Sequence, residues 1–496
     1  MLFTSPLPDI ELPRTNVFDM VFGAAFGPVS DTSRPAITEI DTGRSTTYAE
    51  LRQRAERVAA ELVARGVGRG DVVALRLPNS IDFAAGLLGI ARSGAAAALL
   101  SPLFTEREAA ELTALAGASA ELTAADIAGA TATAAADTTA NAPANAPAPA
   151  PEDLTVIAFS SGTTGLPKAV ELTHAAVTAN AAQFAAALAA SGVQPGRRVA
   201  APLPFSHIYG LNTLLLSSLA AGHHVHTAAR FDLAQFADAH ARHGIELSFI
   251  APPIALALAK NEGIDAAAFA ASRWMVCGAA PLDEGLARAV ERRLGTTILQ
   301  GYGTTESAPV THVGIAGRSN PGSIGYAVPN TQFRVVEPGT LADAAPGQPG
   351  ELVVRGPQLM RGYRGDPAAT ERSLIHGWLR TGDLARARPD GSVWIIDRVK
   401  EVIKYRGYQV APAELEALLL THPGVRDAAV VGVRRAADGE EVPKAFVVAK
   451  GASTSKEALM AWVAERVAPY KKIRDVEFVG AIPRNAAGKI LRRELR

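Results

Sequence analysis

The chain has 496 residues, too many for one hydrophobic core, so about three or four domain-sized units are expected, fused into fewer. Lys plus Arg number 49 and Asp plus Glu 49, which leaves no overall field favouring nucleic acid or an anionic membrane, so any anion site must be local. The single cysteine, Cys277, excludes an intramolecular disulfide and a cysteine-built metal cluster, and reads as a small buried apolar side chain.

From the amino end, Met1 to Thr15 carries acidic and proline positions where a signal peptide needs a basic patch and an apolar run, so a cytoplasmic location is expected. No stretch reaches the roughly 18 uninterrupted apolar residues of a membrane span, and no membrane partner is expected. Short apolar segments (Val72 to Leu77, Thr155 to Phe159, Val199 to Ala201, Leu247 to Ile250, Trp274 to Val276) alternate with amphipathic Ala/Leu-rich stretches. That alternation predicts a mainly parallel α/β architecture. From Ala118 to Pro151 the composition collapses to Ala, Thr, Asn and Pro, ending in NAPANAPAPAP, and a flexible surface excursion is expected there.

After about Gln332, strand-like runs with Gly/Pro/Asp turns (FRVVEPG, GELVVRGP, RPDGSVWIIDR) predict a β-rich subdomain. From Lys400 the pattern is strand, helix, strand, strand, helix, strand, with Pro412 at a helix start and His422, Pro423 and Gly424 at its stop. The predicted fold is therefore α/β. A large multi-subdomain N-terminal domain, 1–399, holds parallel sheets and the β-rich part, and is hinged to a small α+β domain, 400–496.

The sharpest local signal is Ser160-Ser161-Gly162-Thr163-Thr164-Gly165-Leu166-Pro167-Lys168, after the strand LTVIAF and, on this reading, before a long Ala-rich helix. Two glycines admit an anion close to backbone amides, four hydroxyls donate to phosphate oxygens, and Lys168 adds a point charge. It is not a Walker A loop, which needs four residues between its glycines and a hydroxyl residue after the lysine; here two intervene and Ala169 follows. Taken alone, the segment also fits a plain flexible Gly/Ser turn.

That loop is similar to the signature of the adenylate-forming superfamily of acyl-CoA synthetases, luciferases and peptide-synthetase adenylation domains. Further signatures follow in order: Gln300-Gly301-Tyr302-Gly303-Thr304-Thr305-Glu306 resembles the second nucleotide motif, and Thr381-Gly382-Asp383 the ribose motif. Asp397-Arg398-Val399-Lys400-Glu401 resembles the hinge, and PRNAAGK, Pro483 to Lys489, the terminal lysine loop. Within the superfamily, LPFSHIYGL, DRVKEVIKYRGYQVAPAELE and VAERVAPYKKI look most like 4-coumarate CoA ligases and their bacterial cinnamate-type relatives. Two departures stand out: Ala169 where the family usually has Gly, expected to add a methyl close to the loop and stiffen it, and Thr304 where it usually has Met, expected to make the acid pocket smaller and more polar.

The resemblance implies an acid-thiol ligase using ATP, Mg2+ and coenzyme A, with a small carboxylic acid as substrate and no nucleic acid partner. The acid attacks the α-phosphate, pyrophosphate leaves, and a thiol then takes the acyl group. Residues 160–165 and Lys168 would hold phosphate, Ala279, Ala280, Gln300, Gly301 and Tyr302 would border the nucleotide, and Thr305 would contact the α-phosphate. Glu306 would hold Mg2+, Asp383 and Arg398 the ribose, and Lys489 would bridge carboxylate and α-phosphate. His207 and Tyr209, with Thr304 and Val313, would line the acid pocket. After adenylation, rotation about Lys400 would withdraw Lys489 and bring Lys400, Lys404, Arg406, Gly407 and Gln409 to AMP and the pantetheine arm.

Taken singly, Asp383 also fits a turn cap, Lys489 a solvated basic tail, and His207 a structural histidine. The His223, His224, His226 cluster lacks a second ligand group at metal spacing. Delivery to a carrier-protein thiol, an amine or an oxyanion such as nitrite stays open, as does the acid: aryl-propenoic by resemblance, with fatty, benzoic and amino-aromatic acids as alternatives. A non-catalytic nucleotide-binding scaffold is the remaining rival.

Overall fold

A computed structural model describes residues 1–23, 31–132, 148–160, 167–405, 408–435, 440–451, 454–485 and 488–495. The chain divides into two compact units, one made of Leu2–Phe333 and Val354–Leu379, the other of Met1, Arg334–Val353 and Arg380–Arg496.

In the larger unit the continuous apolar runs become strands buried on both faces, as parallel sheets require: every residue of Val72–Leu75, Ala96–Leu99, Leu247–Ile250 and Trp274–Cys277 is buried. A nine-stranded sheet has a parallel centre formed by Thr297–Gly303, Trp274–Cys277, Leu247–Ile250, Arg198–Ala200, His224–Thr227 and Pro35–Glu39. A six-stranded sheet carries Ala120–Leu122, Val72–Leu75, Ala96–Leu99 and Leu154–Ser160 in parallel, then Lys168–Thr173 and Gly362–Tyr363 antiparallel. Helices cover the faces. Tyr48–Ala64 starts at a capping box, Thr47 with Glu50. It meets the buried helix Ile81–Ser93 so closely that a Cβ on Gly89 would lie 2.5 Å from Val58 Cγ1.

Two sequence expectations change here. The low-complexity tract is ordered as far as residue 132: Ala120–Leu122 joins the sheet and helix Ala124–Ala132 follows, anchored by the buried Leu122 and Ile127, while residues 133–147 lie outside the described residues. The helix, whose composition looked too weak to order, docks through the fully buried Ile127 behind a strand that buries Leu122. The glycine-rich loop is followed by a strand, Lys168–Thr173, before helix His174–Ala189 begins at the Thr173 cap. The loop therefore joins two antiparallel strands; the KAVELT run pairs with its predecessor instead of starting the helix.

The β-rich reading after Gln332 holds, with strands Gln332–Val336, Gly350–Arg355, Leu374–Ile375, Trp378–Ala387 and Val393–Arg398. Further along the smaller unit, a hairpin of Ile403–Tyr405 and Tyr408–Val410 precedes helix Pro412–Leu420, which has Pro at its first turn. Strands Val425–Arg434 and Glu441–Ala449, helix Lys456–Ala464 and strand Asp475–Phe478 complete it. The single opening strand read from the sequence is thus a two-stranded hairpin. Ile403, Val410, Leu415, Leu419, Val430, Ala445, Leu459, Val463 and Val476 form the core beneath.

Candidate active site

In the larger unit Ser160 and Lys168 stand opposite each other at the loop end of their hairpin. Ser161, Gly162, Thr163, Thr164 and Gly165 lie outside the described residues. Side chains alternate along a strand, so Ala169 points away from the Lys168 face: its methyl is buried among Val72, Ala96, Ala98 and Ile157. The loop that Ala169 was expected to stiffen lies outside the described residues.

The Lys168 ammonium sits 4.4 Å from the ring centre of Tyr363, whose phenol donates to Glu306 Oε1 at 2.9 Å. Burial and then the neighbouring Glu306 carboxylate push the Tyr363 phenol above its ordinary value, so it stays a proton donor. Tyr363 was not singled out in the sequence. The run RGYRG has no motif signature, and its strand, Gly362–Tyr363, exists only through pairing with the strand carrying Lys168.

Glu306 lies in a short 3-10 turn, Thr305–Ser307, at the end of strand Thr297–Gly303. The Thr304 hydroxyl lies 3.2 Å from Ser307 Oγ, and Ser307 Oγ donates to Pro309 O at 2.6 Å, so Thr304 belongs to the hydrogen bonding of the turn itself. Gly303 cannot carry a side chain: a Cβ would fall 1.8 Å from Pro309 O. Gly303→Ala is therefore expected to open the turn and cost about 3 kcal/mol or more, read as a fall in Tm. Val313 is buried opposite Gly301, and the Tyr302 ring meets His312 edge-on at 6.1 Å.

Gln300 plays a supporting part. Its amide nitrogen donates to Pro321 O and Ser323 O, and its oxygen accepts from Leu282 N–H at 2.9 Å, which tethers the 278–282 segment. That segment holds Ala279 at φ 71°, a left-handed conformation costing about 1–2 kcal/mol for a residue with a Cβ. Gly278 leaves room for Tyr209, since a Cβ there would lie 3.0 Å from Tyr209 Cζ. Tyr209 is buried, donates to Val276 O at 3.1 Å and opens a π-helical stretch, Tyr209–Leu216. Its backbone N–H donates to His207 Nδ1 at 3.3 Å, fixing the half-buried imidazole over the same turn.

The histidine cluster is engaged in the fold. His223 Nδ1 accepts from Arg197 N–H at 2.9 Å and His224 Nε2 pairs with Thr38 Oγ1 at 2.8 Å. No group of three or more His, Cys, Asp or Glu side chains able to hold a metal is found among the described residues. A lone half-buried carboxylate such as Glu306 fits a hard cation that draws its other ligands from phosphate oxygens and water, the donor set Mg2+ prefers.

In the smaller unit Asp383 and Arg398 face each other across two antiparallel strands, with Arg398 Nε 3.0 Å from Asp383 Oδ1. Asp383 is only 4% exposed, and its backbone N–H donates to Thr381 Oγ1, which in turn donates to Leu352 O. Lys489 sits in a turn closed by its own N–H donating to Asn485 Oδ1 and by Asn485 N–H donating to Lys489 O. Burial and then Arg398 pull its ammonium down to about 8, against the opposing influence of Glu401 and Asp383, with Arg492 lowering it further. Three motifs spaced over a hundred residues thus share one electrostatic environment.

Arg492, near the carboxyl end, is mostly buried. It donates from Nη1 to Glu401 and from Nη2 to both carboxylate oxygens of Glu416 at 2.7 Å. Lys400 is exposed in the turn after Val393–Arg398. Lys404 and Gln409 pair across the following hairpin, and Arg406 and Gly407 lie outside the described residues.

The AMP-binding enzyme family profile matches residues 29–364, and the profile of the AMP-binding enzyme C-terminal domain matches 414–489. The chain is similar to 4-coumarate--CoA ligase 3 of Oryza sativa subsp. japonica, at 37% identity over 100% of this chain and 94% of the relative. Among solved structures it resembles ATP-bound MatB from Rhodopseudomonas palustris, with a TM-score of 0.87, 27% identity and 98% of each chain covered. It also resembles the amide bond synthetase McbA from Marinactinospora thermotolerans, with a TM-score of 0.81 and 28% identity over 97% of this chain and 98% of that one.

Proposed function

This chain belongs to the AMP-binding enzyme family, whose relatives include AMP-forming CoA ligases, and from that premise we propose that it converts a small aryl-propenoic acid of the coumarate or cinnamate type to its CoA thioester. The observation that carries the reading is Lys489 beside the Asp383–Arg398 pair. Those are the groups needed to hold a ribose and to neutralise charge where a carboxylate approaches a phosphate. Full-length similarity to a coumarate ligase supports the acid class.

The acid and ATP are both anionic, and their repulsion sets the barrier. Lys168 and the hydroxyls and amides of residues 160–165 would hold the phosphates. Thr305 would donate to the α-phosphate, and Lys489 would offset charge building on the oxygens between acid and phosphorus. Mg2+, when bound at Glu306 and the phosphates, supplies further charge neutralisation. Asp383 would accept from the ribose hydroxyls, with Arg398 orienting it. Nucleotide contacts would come from Ala279, Ala280 and Tyr302, and His207 and Tyr209 would wall the acid. For the thiol step we infer a domain boundary at 399/400 and rotation about Lys400, which exchanges Lys489 for the hairpin 403–410.

A second reading keeps the adenylation and changes the acceptor to a carrier-protein thiol, an amine or a small oxyanion; the resemblance to an amide bond synthetase favours the amine within it. One assay separates them: pyrophosphate release from Mg2+ and ATP with cinnamic, benzoic and short fatty acids, with and without CoA. The ligase reading expects an aryl-propenoic acid to give the highest rate, with AMP and a thioester appearing only when CoA is added. Pyrophosphate that forms without any response to CoA would leave the acid activation standing and overturn the acceptor.

A further inference from the structure

Lys168 and Glu306 come from segments 138 positions apart, and a third segment, 360–364, grips both. Met360 N–H donates to Glu306 O at 2.8 Å, and Arg364 N–H donates to Ala169 O at 2.8 Å. Tyr363 pairs with Val170 in the sheet, and its own N–H donates to Thr370 Oγ1 at 2.9 Å. A Cβ on Gly362 would lie 2.9 Å from Thr370 Cγ2, which keeps helix Pro367–Ser373 close beneath. The Tyr363 side chain therefore projects from a backbone tied to both neighbours, half-buried, with Lys168 over its ring and the Glu306 carboxylate on its hydroxyl.

We propose that Tyr363 is a positioning residue for Mg2+-ATP: its phenol fixes one oxygen of Glu306 and its ring seats the Lys168 ammonium, so that the cation's carboxylate and the phosphate-loop lysine are set by a single side chain. This rests on the metal role given to Glu306 above. A cation over the ring withdraws electron density and makes the phenol a stronger donor to the carboxylate, so the two contacts reinforce each other. Without the phenol, Glu306 gains rotamer freedom and must be ordered by the incoming metal and nucleotide, which weakens their binding.

The test is calorimetric binding of Mg2+ with α,β-methylene-ATP, no acid present, to the full chain and to the variants Tyr363→Phe, Tyr363→Leu and Glu306→Gln, with Tm measured for each. Phe keeps the ring for Lys168 and removes the hydroxyl. The expected result is roughly tenfold weaker binding for Phe, the scale of a hydrogen bond to a charged group, and a further loss for Leu. Phe should keep the wild-type Tm within a few degrees. If Glu306→Gln weakens binding and Tyr363→Phe does not, Tyr363 has no positioning role and the Glu306 assignment survives. A Phe variant that loses Tm yet binds normally also overturns the proposal, making the contact purely structural. If Glu306→Gln binds like wild type, both the metal assignment and the role of Tyr363 fall.

Discussion

Lys489→Ala should lower pyrophosphate release by about 10²–10³-fold, the scale of losing one preorganised charge-stabilising group. Thioester formation from a supplied acyl-adenylate should change only a few-fold, because Lys489 is assigned to the first half-reaction alone. The split is the informative part: a variant equally impaired in both half-reactions would show that Lys489 holds the nucleotide throughout. The pH dependence follows from its environment. Burial and Arg398 bring its ammonium to about 8 from the ordinary 10.5, so the charged form is complete below that pH and lost above it. For the free enzyme, kcat/KM of adenylation should therefore fall as pH rises through about 8. Bound ATP adds negative charge and favours the ammonium, so the falling limb in kcat should lie at higher pH, and Lys489→Arg should abolish it. For stability the sign is opposite. The unfolded chain binds the proton more tightly, so this group's unfavourable contribution is complete below about 8 and is relieved as pH rises toward 10.5.

Arg492→Ala should have the largest effect on stability in the smaller unit. Glu416 is 8% exposed; both its oxygens accept from Arg492 Nη2, and Oε1 also accepts from the Val430 N–H at 2.8 Å. Truncating the arginine leaves that carboxylate buried without its cation, a loss of about 3–5 kcal/mol. A chemical-denaturation curve should show an early transition. Burial already holds Glu416 above the ordinary carboxylate range against the pull of Arg492, and a raised carboxyl favours the folded state as pH falls. The variant's deficit should thus shrink at acid pH. Replacing the pair together, as Arg492→Met with Glu416→Leu, should recover most of the loss. If the single and double variants lose equally, packing of the arginine stem matters more than its charge.

The legible parts of the molecule were those written into neighbouring residues. Continuous apolar runs such as LSFI and WMVC became fully buried strands because a parallel sheet covers both faces, and Pro412 opened a helix because it needs no amide partner there. The motifs carrying Lys168, Glu306, Asp383 and Lys489 were visible because their spacing is local. Where sequence reading failed, the deciding partner was distant. KAVELT passed for the approach to a helix until its pairing with Leu154–Ser160 was known. The Ala-rich helix at 124–132 depends on Ile127 reaching a core made by other segments. The ion pairs of Arg492 could not be read at all, because Glu401 and Glu416 lie far away in sequence.

By itself, then, the sequence determined the alternation of elements and the family, since propensity, capping and motif spacing act over a few residues. Only the tertiary structure decided which side of a strand Ala169 occupies, that Gln300 tethers a backbone segment, and that Tyr363 joins Lys168 to Glu306. It also decided that Lys489 shares its surroundings with Asp383 and Arg398. Those outcomes depend on sheet order and burial, in which residues more than a hundred positions apart are brought within a few ångströms; no local rule encodes which of them will meet.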